Sequence, residues 1–369
     1  MHASNSRLAF IDALKAVASQ FIVLHHLAFY GPMSDVANDL APALFAWFSQ
    51  DARIAVQIFL VIGGFLAAKA LAPAGTLISA KPLMLLMSRY IKLVVPYAAA
   101  VIFSILCAAI ARSLIDHHSI PNPPTLRQLL AHIALLQNIL AYDSLSAGIW
   151  YVAIDLQLFA LLLGTLWLAR SMGDQYDGMP VFSVLSVIAL ALGSLFYFNR
   201  DSNWDSWAIY FFGTYAMGAL TYWATEAEQE PDWLAVIAGV VIVALLIDFR
   251  SRIAVALVTA VVLGISRRWG FIADRPKAKL LAYLGKISYS VFLAHFPVIL
   301  IVNALFYRLA PGNATANAFG ILVAWLASNV AGIVFYRLVE SRSGGWLASA
   351  QIGIQHSLHR LAPVVRVKS

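Results

Sequence analysis

The chain has 369 residues, 61% of them hydrophobic and 12% charged, with a mean hydropathy of +0.79; a soluble globular domain carries about 25% charged residues. That balance excludes a water-soluble globular fold and describes an all-α, polytopic membrane helix bundle. The net charge of +7 does not imply nucleic acid, because Lys and Arg in such chains sort to cytoplasmic loops, and the single Cys107 excludes an intrachain disulfide and any paired-cysteine metal site.

Ten apolar runs approach or exceed the roughly 20 residues a bilayer requires. They cover 10–30, 54–72, 90–111, 148–169, 180–198, 207–224, 233–248, 252–266, 287–307 and 316–338. The seventh and eighth are short and meet at Asp248-Phe249-Arg250-Ser251-Arg252, as a tight hairpin or a re-entrant pair. An even number of spans puts both termini on one side. With the termini fall 18 of the 25 Lys and Arg, while the opposite side holds seven, from Arg53 to Arg308. This excess places both termini in the cytoplasm. One acidic loop dissents, Glu226 to Asp232, but acidic residues weigh little in the rule. The first run is too long and too charged for a cleavable signal peptide. Between Arg112 and Gly148 the chain passes Pro121, Pro123 and Pro124 and then LLAHIALLQNILAY. That run is too short to span and suits an interfacial element or one folded back over a site. Residues 1–342 read as one membrane domain, and 343–369 as a cytoplasmic tail, amphipathic or disordered.

The first run, FIDALKAVASQFIVLHHLAFYG, carries Asp12, Lys15, His25 and His26. Ionisable groups at membrane depth are costly and mark candidate sites. Lys15 and His26 are eleven residues apart, about three turns, so they share a face roughly 16 Å apart along the axis. Asp12 is one turn from Lys15 and able to pair with it. His25 points about 100° away and reads as structural. An imidazole suits a general base acting on a hydroxyl. Lys15 reads either as a snorkelling anchor or as a contact for an anionic donor. Arg89 and Lys92, one turn apart in SRYIKLVVPY, read as anchors or as part of a basic rim with Lys15. Asp155, in GIWYVAIDLQLF with Gln157 two residues on, must face the interior. It can orient His26 or serve a proton relay. Ser288, Tyr289 and His295 cluster in GKISYSVFLAHFP. Gly63-Gly64 suits close helix approach.

Taken together, these stretches resemble acyltransferase family 3, the integral-membrane O-acyltransferases of bacterial envelopes. The family's first-helix signature of aspartate, a basic residue, ten residues and histidine is matched by Asp12, Lys15 and His26. Further motifs appear in order as IFLVIGGFL, SRYIKLVVPY, WYVAIDLQLF, GKISYSVFLAHFP and FYRLVES. Lys15 stands where arginine is commoner, keeping the charge without the bidentate fork. Gly63 stands for a serine, and Asp155-Leu156 for an acidic pair. The resemblance implies a bacterial inner-membrane enzyme. Such an enzyme takes an acyl group, usually acetyl, from cytosolic acetyl-CoA to a hydroxyl of an envelope glycan or lipid-linked sugar. It further implies that Lys15, Arg89 and Lys92 hold the CoA phosphates. His26 then acts as base or carries the acyl group, Asp155 orients His26, and no metal is needed. Asp12, Gln157, Ser288, Tyr289 and His295 are the supporting polar residues.

Two other readings use the same residues. A proton-coupled transporter or exporter would exploit the charges as a relay, although no repeat relates the two halves as in many transporter folds. A non-catalytic envelope assembly protein is the third.

Overall fold

The computed structural model describes residues 3–79, 81–173, 180–226, 232–269 and 279–343; these form helices, turns and loops, with no strand among them. The expected tail from 344 onward, and Arg275, Lys277, Glu228 and Glu230 of the counted loops, lie outside the described residues.

All ten apolar runs are helical. In chain order the helices are α1 (Ala3–Phe29), α2 (Pro32–Ala37), α3 (Pro42–Gln50), α4 (Val56–Leu71), α5 (Pro82–Leu114), α6 (Leu126–Ile133) and α7 (Trp150–Gly173). There follow α8 (Pro180–Phe196), α9 (Ala208–Ala224), α10 (Asp232–Ile247), α11 (Ser251–Trp269), α12 (Lys279–Lys286), α13 (Ser288–Leu309) and α14 (Ala314–Phe335). Among the described residues, seven stretches are long and apolar enough to cross a membrane: those of α1, α3–α4 together, α5, α7, α8, α13 and α14. The three other expected spans, α9, α10 and α11, are shorter or more charged. Of these α9 is buried along nearly its whole length, so it lies inside the bundle and not against lipid. The joint between α10 and α11 is Asp248-Phe249-Arg250, held by Arg200 Nε and Arg250 Nε on the Asp248 carboxylate. Helix α1 runs from one end of the bundle to the other; the end where it begins is the near end, and the end where it finishes is the far end.

Two backbone features fix how α1 meets its neighbours. At the far end Gly31 has φ +123, open to glycine and strained for other residues. Pro32 follows at the first position of α2. Asn303 of α13 clamps this turn, donating to the Tyr30 carbonyl (3.0 Å) and accepting from the Met33 amide (3.1 Å). At the near end the Gly285 backbone of α12 rests on the Asp12 backbone, with only 2.0 Å between a Cβ placed there and the Asp12 carbonyl oxygen. On the opposite flank, Gln20 accepts from Trp325 Nε1 (2.8 Å) and donates to Asn329 (2.9 Å), closing a polar contact between α1 and α14.

Helices α4 and α9 touch backbone to backbone. A Cβ at Gly64 would sit 1.8 Å from the Tyr215 carbonyl oxygen, and one at Gly218 would sit 1.9 Å from that of Val61. Such small-residue contacts are the usual means of close approach where no hydrophobic effect separates helix from lipid.

The segment after α5 folds back along that helix. Arg112 donates to the Pro121 carbonyl, Ser104 Oγ to the Leu145 carbonyl (2.7 Å), and the Tyr90 hydroxyl to the Ile133 carbonyl (2.8 Å). The three anchors span 22 residues of α5, about 33 Å. Within the segment α6 opens on a reciprocal capping box between Thr125 and Gln128. His132 then joins its two limbs: Nδ1 donates to the Gln128 carbonyl (2.8 Å) and Nε2 accepts from the Leu145 amide (3.2 Å). Leu126, Leu130, Ile133, Leu136 and Leu140 stay exposed on the outer surface, as lipid-facing side chains do.

These contacts can be tested separately. Gly64→Val or Gly218→Val must spread α4 from α9, an overpacking cost of about 1–3 kcal/mol or more. By contrast Gly193→Ala and Gly239→Ala, where nothing lies within 4 Å of the new Cβ, leave the melting temperature of the purified protein within a degree or two. His132 is buried, which pushes its pKa down. Below the ordinary histidine value of about 6.5 the unfolded chain therefore binds a proton that the folded ring does not, and stability falls as pH drops. Hydrogen exchange at the Leu145 amide, corrected for its intrinsic rate, is expected to accelerate as pH falls below about 6. In His132→Gln that extra acceleration disappears.

Candidate active site

Position on the helices decides which polar side chains meet. On α1, Asp12 and Lys15 form the ion pair their spacing calls for, 3.0 Å apart and about a quarter exposed. Lys15 is also within electrostatic reach of Glu340, just past α14, where the Glu340 carboxylate accepts from Ser290 of α13. Ser288 is buried at the start of α13, and the Tyr289 hydroxyl donates to the Leu93 carbonyl of α5 (3.2 Å). Lys92 is exposed. Gln157 accepts from the Ala208 amide at the first turn of α9 (3.1 Å), a capping role on α9.

Two expected associations are not the ones formed. Asp155 does not pair with His26; its carboxylate takes Arg89 Nη2 at 2.6 Å. Nor does Arg89 stand on a free basic rim beside Lys15 and Lys92: its guanidinium turns inward to Asp155 and lies over the Phe159 ring at 5.5 Å. The physical reason is the packing of α5 against α7, which brings a full positive charge to the buried carboxylate. An ion pair in a low-dielectric bundle outcompetes a hydrogen bond to a neutral imidazole. Tyr215 adjoins the pair. A Cβ at Gly63 would meet the Tyr215 ring at 3.0 Å and Asp155 Oδ1 at 3.6 Å, so the space of the family's serine is occupied by an aromatic edge.

His26 meets His295 instead. His26 Nδ1 and His295 Nε2 are 2.6 Å apart across 269 residues of chain, and both rings are buried. His25, one residue away, also borders the cavity described below, but its Nδ1 contacts the Phe48 carbonyl at 3.0 Å and ties α1 to α3.

His26 lies on the wall of a cavity of about 830 Å³. The other walls include the returning segments 118–128 and 138–148, the start of α7, the loop before α9, and Phe292 and Phe296 of α13. Gly148 has φ +78, and a Cβ there would stand 3.0 Å from His26 Cε1, so the backbone passes against the imidazole edge. Trp150 and Phe211 lie face to face on this cavity, 5.7 Å between centroids. Polar groups beside them include Asn138, Asp143, Ser146, Asp205 and Arg53. The Ser146 hydroxyl and the Asn138 side-chain oxygen are buried and make no hydrogen bond to protein. Sequence reasoning missed these far-end residues; the one signal pointing to them was the glycine immediately upstream of the Ile149-Trp150 pair.

The Arg89–Asp155 contact separates stability from chemistry. Asp155→Asn leaves the half-buried Arg89 guanidinium without its counter-charge and is expected to cost about 2–3 kcal/mol, less than for a fully buried pair, read as a fall of several degrees in the thermal midpoint. The double change Arg89→Met with Asp155→Leu should recover most of that loss, since it removes both charges together.

The family model of the acyltransferase domain, family 3, matches residues 8–337, from within α1 to just past α14. No curated protein and no solved structure matches the chain. A match over that length takes in every motif from Asp12 to the end of α14, in agreement with the resemblance read from them. The chain belongs to acyltransferase family 3, and it is a membrane acyltransferase.

Proposed function

We propose that this protein moves an acyl group, acetyl in the simplest case, from a coenzyme A thioester at the near end to a sugar hydroxyl of an envelope glycan or lipid-linked precursor at the far end. The near end would face the cytoplasm of a bacterial inner membrane, as the Lys and Arg distribution indicates. The single observation that carries this reading is the place of His26, an imidazole at the floor of a cavity walled by far-end segments, on the same helix as the near-end Lys15.

The cavity's chemistry supports a sugar. An outward aromatic face of the Trp150–Phe211 pair can stack on the C–H face of a pyranose, while amide, carboxylate and hydroxyl groups bind its hydroxyls. In the transfer His26 Nε2 takes the proton of the attacking hydroxyl. The hydroxyl oxygen bonds to the thioester carbonyl carbon, and the carbon–sulfur bond then breaks. The departing thiolate recovers the proton from the imidazolium. Lys15 and Lys92 are the candidate contacts for the donor's phosphates. Arg89, neutralised by Asp155, is instead assigned to the interior between donor and cavity. The separation of about 16 Å along α1 then corresponds to the reach required of the donor's pantetheine arm.

Acetyl-CoA titrated into the purified, lipid-reconstituted protein should bind saturably, and Lys15→Ala should weaken that binding about tenfold or more. His26→Ala should leave donor binding intact. In cells carrying only that variant, O-acyl groups on envelope polysaccharide, weighed by mass spectrometry, should fall by about 10²-fold or more. His25→Ala should lose no more than a few-fold. Equal loss in the two histidine variants, or unreduced ester in His26→Ala, would remove the base from this scheme.

A further inference from the structure

The contact between His26 and His295 has a definite hydrogen-bond direction. The two rings are parallel within 5° and their centroids are 4.9 Å apart, while the facing nitrogens are 2.6 Å apart. The two ring radii account for the difference, so the nitrogens lie on the line between ring centres. The rings share a plane edge to edge, the geometry of one in-line N–H···N hydrogen bond and not of face stacking.

Its donor is fixed by what lies behind His295. His295 Nδ1 faces the Val291 carbonyl of its own helix at 3.2 Å. A carbonyl only accepts, so Nδ1 carries the hydrogen, and a neutral imidazole has only one. His295 Nε2 is therefore a lone pair. The hydrogen between the rings then belongs to His26 Nδ1, which leaves His26 Nε2 as the lone pair. The Nδ1 of neighbouring His25 is directed instead to the Phe48 carbonyl, and the nitrogen that meets His26 Nδ1 is that of His295. The Gly148 backbone closes against the ring carbon between the two nitrogens of His26, Cε1.

We propose that His295 is a positioning residue. By accepting from His26 Nδ1 it holds the His26 ring in one tautomer and one orientation, so that the basic nitrogen is Nε2. It does for His26 what a buried carboxylate does in a catalytic triad, using a second imidazole backed by a main-chain carbonyl. The proposal rests on the reading of His26 as the base, and the test separates the two.

Full-length protein labelled with ¹⁵N-histidine and reconstituted in lipid reports, through its imidazole nitrogen shifts, which nitrogen holds the hydrogen. The His26 signal is identified by its loss in His26→Ala. In the native protein it should show the Nδ1–H form. In His295→Leu it should move to the Nε2–H form or a mixture, and acyl transfer should fall by about 10²-fold with the acetyl-CoA dissociation constant unchanged. His295→Gln offers an oxygen to His26 and an N–H to Val291. It should restore the Nδ1–H form and recover at least tenfold of the lost rate. A native His26 in the Nε2–H form overturns the proposal even if neither His295 variant folds. So does an unchanged tautomer in His295→Leu, or a glutamine variant no better than leucine. Should the tautomer respond as stated while His26→Ala still transfers acyl groups, positioning stands and the base assignment fails.

Discussion

Hydrocarbon offers a polar group no partner, so polar side chains that meet between these helices are held by one another. That constraint explains the cross-links of the bundle. Arg89 and Asp155 join α5 to α7; the Tyr289 hydroxyl joins α13 to α5. Gln20 with Trp325 and Asn329 joins α1 to α14, and His26 with His295 joins α1 to α13. Each contact is directional, so together they set the rotation of the helices about their axes as well as their adjacency. The site inherits its geometry from that rotation. An imidazole reaches the far-end cavity because α1 is held by polar contacts on two flanks and by Asn303 at its end.

Small residues supply the complementary half of the design. Where Gly64 meets Tyr215, Gly218 meets Val61 and Gly285 meets Asp12, the backbones themselves are in contact, and nothing larger fits without moving a helix. Gly285 sits on the backbone of Asp12, and Tyr215, which Gly64 meets, also adjoins the Arg89–Asp155 pair. Function and packing therefore overlap in this chain. Gly63 illustrates it: one face of a two-glycine step closes α4 on α9, and the other borders the buried ion pair.

Much of the fold is legible in the sequence because apolar runs and charge asymmetry act locally. The helices fall where the runs do, and Asp12 pairs with Lys15 because three residues make nearly one turn. The site was legible only in part. His26, His295, Arg89 and Asp155 all stand out as polar residues in apolar surroundings, yet their pairing does not follow from spacing. Arg89 and Asp155 are 66 residues apart and His26 and His295 are 269 apart, so their meeting depends on how helices rotate against each other. Asp155 was a reasonable partner for His26 by chemistry and the wrong one by packing. The returning segment was harder still. Its run after Pro124 shows that it cannot span, but its path down α5 depends on single contacts from Tyr90 and Ser104 that no periodicity announces.

That segment has a further consequence. It presents Leu126, Leu130, Ile133, Leu136 and Leu140 outward, and carries Asn138, Asp143 and Ser146 to the cavity. A single thin wall thus separates the apolar outer surface from the cavity proposed for the acceptor. Lateral pressure, bilayer thickness and detergent substitution all act directly on such a wall. If that cavity is the acceptor chamber proposed above, catalysis is a property of the protein and its surrounding lipid together, and a micelle is a different environment for it even when every helix remains intact.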